Sequence, residues 1–128
     1  MQPITTNDGL IVFAHGSRII EANRAVEIVA LEAAREAGFK LWRAAFLELA
    51  EPGLTTAARQ LAHEGANRIV VTPYFLVMGV HLQTDLPRLM RAAEEAVPGV
   101  ELISTPPLDG HPALAGIIAE RARKAAGL

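Results

Sequence analysis

The sequence contains no cysteine, which excludes disulfide frameworks, thiolate metal sites, iron–sulfur clusters and cysteine nucleophiles. Any metal site must therefore be built from histidine, carboxylate or backbone oxygen ligands. A basic excess is also missing, because 12 Lys and Arg stand against 14 Asp and Glu and leave a net charge of −2. This balance argues against a nucleic-acid partner.

Long hydrophobic runs are absent as well. The longest apolar stretch, Tyr74–Val80, is too short to span a membrane, and the segment Met1–Asp8 carries no basic targeting region. We therefore expect a cytoplasmic protein with no membrane partner.

The length and composition indicate one domain over residues 1–128, since 128 residues cannot hold a second full core. Hydrophobic residues make up 51% of the chain, which is high for a small soluble monomer. We therefore expect a subunit interface.

The chain repeats one rhythm, in which a short apolar run precedes a segment with apolar residues at helical spacing. The apolar runs are Leu10–Ala14, Leu41–Leu47, Ile69–Phe75 and Val100–Ile103. The last helical segment places Leu114, Ile117, Ile118 and Ala122 on one face. Gly38 and Gly65 are in positions typical of helix C-caps, and Pro112 near a helix start. Strict alternation predicts an α/β fold with parallel strands joined by right-handed crossovers.

The composition of the strands predicts their order. The first and third strands are almost purely apolar, as expected for strands covered on both faces. Arg43 in the second strand and Glu101 in the fourth are better tolerated at sheet edges. These features predict a four-stranded sheet of order 2-1-3-4 with helices on both faces, a flavodoxin-like half.

Polar residues cluster where the strands end. His15 follows the first strand, Glu48 ends the second, and His81 lies just past the third. Because ligands bind beyond the carboxyl ends of parallel strands, where the strand order reverses, we expect these three residues on one rim. His15 or His81 alone could equally be structural. His111 before Pro112 is expected to anchor a turn, and His63 to be a solvated helix residue.

Imidazole and carboxylate without thiolate suit iron, cobalt, nickel and zinc. Two imidazoles form an open site, as a protein that passes its metal on requires. The neighbouring loop Tyr74–Val80 could be a platform for a flat ligand or a subunit contact.

Four further stretches of the sequence stand out as a set: His15–Arg18, Phe46–Pro52, Pro73–His81 continuing to Pro87, and Pro107–Pro112. Together they resemble the short, single-lobe sirohydrochlorin chelatases (CbiX type) of the ATP-independent class II chelatases. Asp109 departs from the pattern expected in the fourth stretch, and no His-rich tail is present.

The resemblance implies that a divalent ion (cobalt first, iron or nickel as alternatives) is inserted into sirohydrochlorin, for cobalamin or sirohaem biosynthesis. The ion is a substrate, and no permanently bound cofactor is implied. His15 and His81 fall on the family's metal-binding histidines and Glu48 on its strand-two glutamate, so these three are the expected catalytic residues. The resemblance also implies a homodimer that shares its active cleft.

Substrate contacts are expected from a further set on the same rim: Ser17, Arg18, Phe75, Met78 and Gly79. Arg18 could pair with substrate carboxylates. Arg88 and Lys40 could do the same but are better explained as ordinary solvated charges.

Three other functions stay open at this point. A carrier of metal or tetrapyrrole would keep the fold and lack turnover. A phosphate-handling enzyme could use His15 as a phosphoryl acceptor, although the chain has no G-x-x-x-x-G-K-[ST] or G-x-G-x-x-G motif. A purely structural interaction domain would leave the clustering of His15, Glu48 and His81 unexplained.

Overall fold

A computed structural model describes residues 3–128, so Met1 and Gln2 of the predicted 1–128 domain lie outside the described residues. Strands and helices alternate along the chain as the sequence predicts. The elements are β1 (Asp8–Ala14), α1 (Ile20–Ala37), β2 (Leu41–Phe46), α2 (Leu54–His63), β3 (Arg68–Pro73), α3 (Val80–Ala96), β4 (Glu101–Ser104) and α4 (Ala113–Ala125).

The four strands form one parallel sheet of order β2-β1-β3-β4, which confirms the predicted order. The strands that carry Arg43 and Glu101 are indeed the two edges. In the register of the sheet, Ala14 pairs with Phe46 and Phe13 with Pro73. The loops that follow β1, β2 and β3 therefore meet at the carboxyl edge of the sheet.

Two cores cover the two faces of the sheet. On one face, Ile11, Phe13 and Val71 pack with buried residues of α2 and α3 such as Leu61 and Met90. On the other face, Leu10, Val12 and Ala14 pack with α1 through Ala30 and Ala34. Strand β1 is buried along its whole length. It therefore gives the loop that begins at His15 a fixed starting point.

The prediction that β3 is covered on both faces is wrong for one face. Val70 and Thr72 are only half-buried there, and the neighbouring Ile103 of β4 is 40% exposed. The structure describes the whole of α4, and none of its residues is buried. The predicted apolar face of α4 therefore exists in the sequence but does not pack over β3 and β4.

The helices begin and end close to the glycine and proline residues that predict their ends. Gly38 is the left-handed C-cap of α1, and Pro112 is the N-cap of α4. Gly65 lies one residue beyond the C-cap of α2, which is Glu64. Among the described residues, no helix combines the length and apolar character needed to cross a bilayer.

Candidate functional site

The carboxyl edge of the sheet brings His15 and Glu48 together. His15 directly follows β1, and Glu48 lies two residues past the end of β2. The His15 Nε2 atom is 3.0 Å from the Glu48 Oε1 atom. Both side chains are open to solvent, with exposed fractions of 59% and 57%. The pair is therefore accessible to a ligand.

Backbone hydrogen bonds hold these two residues side by side. The Leu47 amide donates to the Ala14 carbonyl at 2.9 Å, and the Glu48 amide donates to the His15 carbonyl at 3.1 Å. The pairing of β1 with β2 thus continues beyond the regular strands. The sheet itself sets the spacing of the imidazole and the carboxylate.

Gly16 is required for this close approach. Its φ of +94° is one that residues with a side chain rarely adopt. A Cβ atom at this position would lie only 1.9 Å from the Glu48 carbonyl oxygen. The loop after β1 can therefore pass under residue 48 only with glycine at position 16.

The segment after Glu48 turns sharply back to the sheet. Leu49 has a left-handed φ of 65°, and the Phe46 amide donates to the Pro52 carbonyl at 2.8 Å. Such backbone strain in a non-glycine residue costs on the order of 1 kcal/mol and often accompanies a functional site. Here it lies directly beside Glu48.

Asn23 ties the loop after His15 to helix α1. The Ser17 amide donates to Asn23 Oδ1 at 2.9 Å, and Asn23 Nδ2 donates to the Ser17 carbonyl at 2.8 Å. Sequence reasoning missed this residue, because an asparagine near a helix start has no distinguishing mark without the loop opposite it.

An open groove of about 420 Å³ adjoins His15. Its walls combine the loop after β1, which includes Ser17, with small and apolar side chains of α1 such as Val26 and Val29. Tyr74, the residue after β3, completes the wall. The predicted substrate residue Ser17 therefore lies beside His15. Arg18 follows as an exposed side chain.

His81 is not brought into contact with the His15–Glu48 pair. It is an exposed residue in the first turn of α3. Throughout residues 3–128, no group of three or more His, Asp or Glu side chains is arranged to hold one metal ion. The structure thus joins two of the three predicted catalytic residues within one chain.

The loop after β3 divides into packed and exposed side chains. Phe75 and Met78 are half-buried against the α2–α3 core, and Phe75 meets Phe13 edge-on at a centroid distance of 6.1 Å. Gly79 is the exposed N-cap of α3. The exposed apolar surface of the predicted loop Tyr74–Val80 comes from three residues that are not among the predicted substrate contacts: Leu76, Val77 and Val80.

The remaining polar candidates have other partners or places. Arg88 donates to Asp85 at 2.8 Å, and His111 Nδ1 accepts the Ala113 amide at 3.0 Å, as expected for a turn anchor. Lys40 precedes β2, so it lies at the amino edge of the sheet, away from the site. His63 is an exposed residue at the end of α2.

A second ion pair lies at the amino edge of the sheet. Arg68 donates from Nε to Asp8 Oδ1 at 2.8 Å and from Nη2 to Oδ2 at 2.9 Å, and the Thr5 amide adds a 2.7 Å bond to Oδ2. The hydrogen bond from Arg68 holds the pKa of Asp8 below its ordinary value, against the effect of burial. The same pair raises the pKa of Arg68.

The chain as a whole is similar to one known protein family. Residues 9–125 match the family model described as CbiX, which covers nearly the whole chain. The chain belongs to the CbiX family.

Relatives of this CbiX chain carry chelatase names. The sirohydrochlorin ferrochelatase of Arabidopsis thaliana, a chloroplastic protein, is 35% identical over 89% of this chain and 51% of its own length. The sirohydrochlorin cobaltochelatase of Sulfolobus acidocaldarius is 32% identical over 91% of both chains. The CbiX chain thus spans about half of the plant relative and most of the archaeal one.

Solved structures share its fold. A putative cobalamin biosynthesis CbiX protein of Marinobacter aquaeolei superposes with a TM-score of 0.82 at 27% identity, covering 94% of this chain and 98% of that one. SirB of Bacillus subtilis, determined with Fe³⁺, superposes with a TM-score of 0.80 at 22% identity, over 93% of this chain and 47% of SirB.

Proposed function

We propose that this CbiX chain is an ATP-independent sirohydrochlorin chelatase that inserts a divalent metal ion, cobalt in the first place, into the macrocycle. The observation that carries the proposal is the exposed His15–Glu48 pair at the carboxyl edge of the sheet. The names of its relatives, which include both cobaltochelatases and a ferrochelatase, support the same reaction.

The spacing of the pair suits a metal ion as substrate. With metal–ligand distances of about 2.1 Å, two atoms 3.0 Å apart subtend an angle of about 90° at the ion. Neighbouring ligands of a six-coordinate ion have this angle. Two protein ligands leave the other positions to water or to the nitrogen atoms of the incoming macrocycle, so the ion can be released.

Metal insertion also requires proton removal. When a divalent ion enters the macrocycle, two pyrrole N–H protons must leave, and the net charge is then balanced. Imidazole changes its protonation near neutral pH, and a carboxylate beside it can accept or orient the proton. We assign His15 and Glu48 to hold the ion first. Each of them can accept one of the two protons once the ion has passed to the nitrogen atoms of the macrocycle, because its lone pair is then free.

His81 completes the proposed catalytic set as a second imidazole, an assignment that rests on its place in the family motif. Arg18 is the proposed partner for substrate carboxylates, because it is exposed beside the groove. Ser17, Phe75, Met78 and Gly79 complete the proposed substrate contacts. The cytoplasmic location expected from the sequence stays a prediction.

The reaction can be tested by anaerobic absorbance of sirohydrochlorin with Co²⁺, Fe²⁺ and Ni²⁺. We expect catalysed spectral conversion by the wild type and its loss in His15→Ala, Glu48→Gln and His81→Ala. The matched control is His63→Ala, an exposed histidine on the opposite side of the fold. Metal binding without acceleration of insertion would overturn the enzyme proposal and favour a carrier.

We also propose that the single domain over residues 1–128 acts as a homodimer with a shared cleft. Two unpartnered apolar surfaces support this: Ile117 and Ile118 of α4 are 50% and 69% exposed, and Ile103 of the sheet is 40% exposed. A second copy would remove these surfaces from water.

Oligomeric state tests this part of the proposal. Light scattering is expected to give the mass of two chains for the wild type. Because Ile118→Glu places a charge on the exposed α4 face, we expect that variant to shift toward the mass of one chain. A single-chain mass for the wild type at working concentration would contradict the shared cleft.

A further inference from the structure

The side-chain amide of Asn23 forms two hydrogen bonds with one loop residue. Asn23 Oδ1 accepts from the Ser17 amide at 2.9 Å, and Asn23 Nδ2 donates to the Ser17 carbonyl at 2.8 Å. Both polar groups of the side chain are thereby directed at the backbone of the loop that carries His15.

These two hydrogen bonds are not explained by capping of the N-terminus of helix α1. The N-cap residue Ile19 has no side-chain capping hydrogen bond. Its own amide donates to Ser17 Oγ at 3.0 Å. A capping side chain normally accepts from an amide inside the first turn of its helix. Asn23 instead reaches backwards, out of the helix and into the loop.

The opposite side of the same loop is held by Glu48, two residues past the end of β2. The Glu48 amide donates to the His15 carbonyl at 3.1 Å, and Gly16 passes directly under the Glu48 carbonyl. The loop is thus fixed at residue 15 from one side and at residue 17 from the other. The His15 imidazole itself is 59% exposed, so it is restrained mainly through the backbone of the loop and little by packing.

We infer that Asn23 is a positioning residue, which holds the loop so that the His15 imidazole stays beside the Glu48 carboxylate as a preformed pair of metal ligands. The inference rests on the proposed metal-binding role of that pair. Residues that orient metal ligands without touching the ion typically change metal affinity by about 10- to 100-fold when they are removed.

Co²⁺ affinity of the full-length protein, measured by anaerobic calorimetric titration, tests this inference. We expect Asn23→Ala and the near-isosteric Asn23→Leu to weaken Co²⁺ binding about tenfold, with a matching change in the Co²⁺ absorption spectrum. The control Glu27→Ala, an exposed site one helical turn later in α1, is expected to stay within twofold of the wild type.

The leucine variant separates positioning from folding. Leucine fills a similar volume and has a higher helix propensity than asparagine, so thermal unfolding is expected to change little while affinity falls. Wild-type affinity in Asn23→Leu, with or without a lower unfolding temperature, would overturn the positioning role and leave the proposed function intact. Absence of Co²⁺ binding in the wild type would overturn both.

Discussion

Strand β1 has an ion pair at each end, and the two pairs differ in their exposure to solvent and in the number of hydrogen bonds that they form. At the amino end, Asp8 is only 2% exposed and its carboxylate accepts two bonds from Arg68 and one from Thr5. At the carboxyl end, His15 and Glu48 share one 3.0 Å contact and are more than half exposed.

The difference lies in what each pair leaves available. The lone pairs of Asp8 are largely used by its neighbours, so this pair can stabilise the sheet but cannot bind anything further. The His15–Glu48 pair keeps free lone pairs and an open approach. One strand thus carries a closed pair at one end and, at the other, an open pair that we propose binds the metal ion.

The largest expected effect comes from removing the imidazole of the open pair. We expect His15→Ala to lower the rate of metal insertion by at least about 100-fold, because the proposed metal ligand and proton acceptor is lost. Its thermal unfolding should match the wild type, since the side chain is exposed. A clearly lower unfolding temperature in His15→Ala would contradict the claim that this end of β1 does not contribute to stability.

Gly16→Ala is expected to damage both stability and activity. The new Cβ would overlap the Glu48 carbonyl and would sit at a left-handed φ, which together should cost at least about 2 kcal/mol of unfolding free energy. Because Glu48 must move, metal insertion should fall as well. Denaturant unfolding and insertion rates check the two effects, and Gly38→Ala, with a similar φ and open space around it, is the control for strain alone.

At the amino end of β1, we expect Asp8→Asn to lower stability and to leave activity unchanged. Replacing the carboxylate leaves Arg68 with a neutral partner, so we expect the unfolding temperature to fall by about 4 °C or more. The insertion rate per folded molecule should stay unchanged, because the substitution lies at the other edge of the sheet. A loss of activity greater than the loss of folded protein would contradict this separation.

The smallest effect concerns acid. Because the folded state holds the pKa of Asp8 below its ordinary value of 3.8, unfolded chains bind more protons as the pH falls. The stability from this pair is therefore fully present above about pH 4 and is lost as the pH falls through the depressed pKa. Unfolding measured from pH 6 to pH 2 should show the gap between wild type and Asp8→Asn closing, whereas a constant gap would exclude this linkage.

The sequence predicts most of this fold because alternation and edge charges are local features. The order β2-β1-β3-β4 follows from Arg43 and Glu101, and the meeting of His15 with Glu48 follows from strand ends in a parallel sheet. Both inferences need only the position of a residue within its own element.

Contacts between elements are less visible in the sequence. Asn23 and Asp8 acquire their roles from partners that only the folded chain brings near, namely Ser17 and Arg68. The apolar face of α4 is predicted correctly as a pattern, but a pattern does not specify which surface covers it. In the same way, the apolar composition of β3 predicts cover on both faces but does not show that one face stays half-buried.

Cobalt anomalous diffraction from a crystal soaked anaerobically in Co²⁺ tests the central claim most directly. We expect a peak within about 2.1 Å of both His15 Nε2 and Glu48 Oε1, which is lost in His15→Ala crystals. A cobalt peak elsewhere in the protein, with the His15–Glu48 pair left empty, would contradict it.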